Sequence, residues 1–157
     1  MTNFWKIPSD IKVYEALGTF ADDRVEMHEN SAKVFSSSGN KFYDVIFDPE
    51  TNSITANDNG SYWQGYLGYP SIVFLMKKGI IDFDKNVAEA LKGIRWKDIN
   101  VSFKNDFAKT EELILEKVEH KGFGVEFVKN EIKYILEQIK KLKLKKLPSK
   151  QKPPQGY

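Results

Sequence analysis

The chain has 157 residues, 41% hydrophobic and 13% aromatic, with a net charge of +2 and no cysteine, which suits one domain built on a single core. Without cysteine there are no disulfides, thiolate nucleophiles or cysteine-based zinc sites, and the two histidines, His28 and His120, would leave any zinc ion dependent on carboxylates, so no metal and no cofactor is expected. The longest apolar run, Ile72-Val73-Phe74-Leu75-Met76, falls far short of the roughly 20 residues a membrane-spanning helix needs. The amino terminus also lacks the basic and apolar regions of a secretory signal, so a cytoplasmic protein is expected.

In chain order, Pro8-Ser9-Asp10 precedes the apolar pattern Ile11, Val13, Tyr14, Leu17 and Phe20. This predicts a helix over about 9–20, capped by the Ser9 side chain and stopping near Gly18. From Arg24 the apolar period becomes two. Runs at Val25 and Met27, Ala32 and Val34, and Phe42–Phe47 are separated by Glu29-Asn30-Ser31 and Ser36-Ser37-Ser38-Gly39-Asn40, and a fourth run, Ser53–Ala56, follows a turn at Pro49. The fold expected is therefore α+β, a small antiparallel meander of three to four strands packed against several helices.

Residues 57–70 form one long irregular stretch, with Tyr62, Trp63, Tyr66 and Tyr69 set among Asn57, Asp58, Asn59, Gly60, Gly65 and Gly68. Such a loop covers the sheet or presents a binding surface. Pro70-Ser71 then opens an apolar helix closed by Gly79, the expected central buried helix. A short amphipathic helix spans Val87–Leu91, Ile94 and Trp96 pack at a corner, and near-helical spacing from about Asn100 to Glu119 reads as one helix. The last pattern, Val125, Val128, Ile132, Ile135, Ile139 and Leu142, gives a long basic helix to about Lys146. The prolines at 148, 153 and 154 end regular structure, so the domain is placed at 1–147 and a disordered tail at 148–157.

Charge is unevenly distributed. Residues 129–157 carry nine lysines against two glutamates, net +7, which leaves the first 128 residues at −5, the pattern of an acidic globule with a basic arm.

No hydrolase elbow, phosphate-binding loop or zinc-protease motif is present. The pairs Asp22-Asp23, Asp48-Glu50, Asp82-Asp84 and Glu111-Glu112 are read as caps and solvent-facing charges. The stretch from Ala32 to Asp48, then Ser53-Ile-Thr-Ala-Asn57, then Gly68 to Gly79, resembles the SWIM zinc-finger module, with a strand, a hairpin partner and an apolar helix in the same order. That resemblance puts Thr55, Asn57, Gly68 and Pro70 where the four zinc ligands stand. It therefore implies a metal-free derivative with a DNA- or protein-binding role.

Three functions follow as expectations. The first is a non-enzymatic module contacting nucleic acid non-specifically through Lys140, Lys141, Lys143, Lys145, Lys146, Lys150 and Lys152; the same lysines otherwise only keep the helix soluble. The second is a protein partner, or a homo-oligomer, held by the stripe Ile132, Ile135 and Ile139, which otherwise packs on the domain's own core. The third is an enzyme whose site is assembled near 57–69, where Tyr62, Trp63, Tyr66 and Tyr69 are the candidate surface.

Overall fold

The computed structural model describes residues 3–148 and 152–154. Its strands are β1 (Val25–Met27), β2 (Ser31–Phe35), β3 (Phe42–Asp48), β4 (Ser53–Ala56) and β5 (Lys145–Lys146), ordered β1-β2-β3-β4-β5 in one sheet. The first four pair antiparallel, with Val25 opposite Val34, Val34 opposite Tyr43 and Phe47 opposite Ile54. The pleat sends Ala32, Val34, Tyr43, Val45 and Phe47 to the buried face and leaves Phe42 and Ile46 on the outer one, as the period-two pattern requires. Gly39 takes positive φ in the β2–β3 turn.

Among the described residues six α-helices accompany the sheet: α1 (Asp10–Ala21), α2 (Tyr69–Lys77), α3 (Lys85–Ala90), α4 (Trp96–Ser102), α5 (Phe107–His120) and α6 (Val125–Leu142). Every residue of α2 from Pro70 to Met76 is buried. It lies on the inner face of the sheet, with Phe74 meeting Phe47 at 5.8 Å between ring centres, and α1 packs over it. The α6 stripe Val128, Ile132, Ile135 and Ile139 is buried in the same core, where its helix runs against α1 and α5. The architecture is thus α+β, with a mostly antiparallel meander under a double layer of helices.

Several local features depart from the sequence pattern. Ser9 occupies the N-cap of α1 without a side-chain bond; its carbonyl accepts the Lys12 amide instead. The helix also runs through Gly18, where the Trp96 indole and the Leu91 carbonyl lie so close that an added Cβ would stand 2.9 and 3.0 Å from them. Glycine serves close packing here.

The segment 100–119 is two helices, not one. Lys104 and Asn105 both take positive φ, and Asp106 restarts the chain by accepting the Lys109 amide. Irregular residues 57–68 contain a π-helical turn, Gly60–Gln64. Finally, α6 stops at Leu142, where Lys143 turns left-handed at φ 48. Asn52 donates to the carbonyls of Leu142 and Lys143, which satisfies acceptors left open at a helix end. The chain then pairs β5 in parallel with β4, Ser53 opposite Lys145.

Candidate functional site

The aromatic loop and the polar stripe of α1 face one cavity of about 620 Å³, within the usual range for small-molecule sites. Lys12, Glu15 and Thr19 reach it at helical spacings of three and four, from a helix whose other faces are in the core. Asp58, Tyr66 and Tyr69 come from the loop and the start of α2, Trp96 and Asn100 from α4, and Phe107 from α5.

Glu15 is 3% exposed and is held from two sides: Asn100 Nδ2 donates to its Oε1 at 2.7 Å, and Lys12 Nζ lies 3.5 Å from its Oε2. Lys12 also sits 5.3 Å from the centre of the Phe107 ring, a cation–π distance. Burial alone would lower the Lys12 pKa, but Glu15 first, then Tyr66 and Asp58, outweigh it and raise the value. The ammonium therefore keeps its proton.

Asp58 caps the π-helical turn by accepting the Ser61 amide on Oδ2. Burial raises its carboxyl above the usual range, against the opposing pull of Ser61 and Lys12. Burial likewise pushes the Tyr66 hydroxyl up. The loop is fitted closely round these groups. A Cβ on Gly60 would meet the Tyr66 hydroxyl at 2.2 Å, and one on Gly68 would meet Asp58 Oδ2 at 2.1 Å, so both positions admit only glycine without a shift.

Three buried polar atoms of lining residues gather here with no hydrogen-bond partner among the described residues: Asp58 Oδ1, Trp96 Nε1 and Asn100 Oδ1. Buried polar atoms are normally paired, since each one left open costs about 1–3 kcal/mol. At the rim Trp63 is 69% exposed and meets Tyr62 edge-on, with ring centres 4.6 Å apart.

Of the loop residues singled out from sequence, Trp63, Tyr66 and Tyr69 line the cavity, whereas Tyr62 supports Trp63. Lys12, Glu15, Asp58, Trp96 and Asn100 were not singled out. Their readable signal is the Lys12, Glu15, Thr19 spacing, a polar stripe on an otherwise buried helix. Ile132, Ile135 and Ile139 lie in the core at 1%, 0% and 4% exposure.

The basic residues are spread over the end of α6 and the β5 edge. Lys140, Lys141, Lys143 and Lys145 are exposed, and Lys140 pairs with Glu137 at 3.2 Å. Lys146 lies 5.1 Å from the Trp5 ring centre, and the Lys152 carbonyl accepts from Asn57. Lys150 lies outside the described residues, as does part of the segment 148–157.

The acidic pairs serve separate local roles. Asp82 accepts from Tyr134 and is bracketed by Gln138, the Asp84 amide bonds Glu131, Asp22 holds the Gly93 amide, and Glu111 accepts from Tyr14. Of the four positions of the zinc-finger resemblance, Thr55 lies on β4, Asn57 just after it, Gly68 just before α2 and Pro70 in its first turn; Asn57 Oδ1 accepts the Asp44 amide and Gly68 seats Asp58. Among the described residues no three His, Cys, Asp or Glu side chains are grouped to hold a metal ion, and no helix is long and apolar enough to cross a membrane.

Fold and cavity together define an α+β protein with an aromatic-rimmed pocket between its first helix and the loop that follows its fourth strand. The chain belongs to the family described as Uncharacterised conserved protein UCP014422, whose model matches residues 5–145. No curated protein and no solved structure matches it.

Proposed function

We propose that this chain is a cytosolic binding protein for a small, uncharged, hydroxyl-bearing ring compound, a sugar or short glycoside, held in the cavity between α1, the 57–66 loop and α4. The observation that carries the reading is the set of unpartnered buried atoms round that cavity, above all Asp58 Oδ1 and Asn100 Oδ1. A carboxyl oxygen and an amide oxygen without partners in one pocket suit ligand hydroxyl groups, which can both donate and accept. An uncharged ligand suits the site because its charges already pair internally, Lys12 with Glu15 and Arg24 with Asp22. Trp63, Tyr66 and Tyr69 offer ring faces on which the apolar side of a sugar can lie.

Calorimetric titration with a panel of mono- and disaccharides tests the proposal, with nucleosides for comparison. Saturable binding of a saccharide, weakened about tenfold by the exposed rim change Trp63→Ala, is expected. Binding of no saccharide, or affinity indifferent to Trp63, would remove it.

A second reading rests on the exposure of Lys140, Lys141, Lys143 and Lys145 together. They make the end of α6 a basic face for non-specific contact with nucleic acid, with affinity that falls steeply as salt rises. Binding of a fluorescent duplex at low and physiological salt, with and without charge reversal at Lys141 and Lys145, tests it. Loss of binding on reversal supports it, and no binding at either salt dismisses it.

A further inference from the structure

A second depression, of about 340 Å³, lies on the molecule between the amino-terminal segment, Leu67 and the end of α6. Its walls are apolar: Phe4, Trp5, Ile7, Leu67, Ile139 and Leu144. Phe4 and Ile7 are each 43% exposed. The remaining lining residues are Lys6, Lys140 and Lys143, with no carboxylate among them. Lys140 is already paired with Glu137, so among the described residues Lys6 and Lys143 carry the open positive charge.

We infer that this cleft binds a free medium-chain fatty carboxylate, its acyl chain lying against Phe4, Ile7 and Leu144 and its head group between Lys6 and Lys143. Charge complementarity selects an anion, and the apolar walls select a hydrocarbon tail behind it. The backbone round the cleft argues against a peptide. The Trp5 amide donates to Leu144, the Lys6 amide to Gly65, and the Lys6 carbonyl accepts from Leu67. An extended peptide would find those groups engaged and would bury its own amides unpaired, whereas a methylene chain has none to satisfy.

The cleft shares no lining residue with the sugar pocket, and the tryptophans separate the two sites: Trp5 lines this one, Trp63 and Trp96 the other. The test is titration of the full chain with octanoate, decanoate and dodecanoate below their micelle concentrations, read by calorimetry and by the indole N–H signals. Affinity is expected to rise about fourfold per added methylene, the Trp5 indole to shift, and decanol to bind more weakly than decanoate. The double change Lys6→Gln and Lys143→Asn is expected to weaken decanoate about fivefold and leave decanol unchanged; asparagine suits the left-handed backbone at position 143. Absence of binding, affinity independent of chain length, a shift at Trp63 or Trp96 instead of Trp5, or attachment to anionic vesicles without binding of monomeric decanoate would each overturn the inference.

Discussion

Gly68→Ala probes the fit of the pocket wall directly. Gly68 has φ −80 and ψ 167, an extended conformation open to any residue, so alanine meets no backbone penalty there. Its Cβ would instead stand 2.1 Å from Asp58 Oδ2, 2.8 Å from Asp58 Cγ and 2.8 Å from Ser61 Oγ. Asp58 and Ser61 are 6% and 2% exposed, so neither can swing into solvent. Overpacking of this kind costs about 2 kcal/mol. For a domain of this length that lowers Tm by about 4–8 °C.

The cost should reside in one contact. With Asp58→Ala also present, Gly68→Ala should cost little, giving a coupling energy of about 1–2 kcal/mol in a double-mutant cycle. Urea unfolding of the four proteins at one pH measures it. A Gly68→Ala protein with unchanged midpoint, or two substitutions whose effects simply add, would refute the packing argument.

Asp58 also sets an expected pH dependence. Its carboxyl is raised above the ordinary value of 3.8 by burial, so the folded chain holds a proton that the unfolded chain has released, and stability falls as pH rises through that interval. The contribution is full below about pH 4 and lost above the folded value. Asp58→Asn should flatten the stability curve over the same window, as measured by urea midpoints from pH 3 upward. Lys12→Met removes the cation beside the buried Glu15 and should cost about 3 kcal/mol; adding Glu15→Gln should recover most of it, and chemical denaturation of both proteins checks this. Ile135→Ala empties a fully buried position of α6 and should cost about 2–5 kcal/mol in urea unfolding, with the mass in solution unchanged.

The strands were legible because one sheet face is wet and the other dry, so Ala32-Lys33-Val34 and Tyr43–Phe47 alternate as the pleat does. α2 was legible for the opposite reason, being buried nearly all round. The break between α4 and α5 was not, because the apolar spacing continues across it; the signal is the polar Lys104-Asn105-Asp106, where asparagine tolerates positive φ and aspartate caps. β5 was hidden inside a lysine-rich run whose alternation, Leu144 inward and Lys145 outward, spans too few residues to mark a strand.

The pocket was half visible. Its aromatic rim stands out as a compositional cluster, and Asp58 lies within it. Glu15 and Asn100, 85 positions apart, come together only because α4 folds back over α1 once Trp96 seats against Gly18. Nothing local in either segment encodes that meeting.

The most direct test of the account is the indole region of a nitrogen-proton correlation spectrum during titration with the saccharide panel. The chain has three tryptophans. Trp5 Nε1 donates to the Ile54 carbonyl at 2.8 Å, away from the sugar pocket, and serves as the internal reference. Trp96 Nε1 is unpartnered among the described residues, and Trp63 stands at the rim. The expected result is a saturable shift of the Trp63 and Trp96 signals with Trp5 fixed. If no saccharide moves them, or all three move together in proportion to concentration, the pocket is not the binding site.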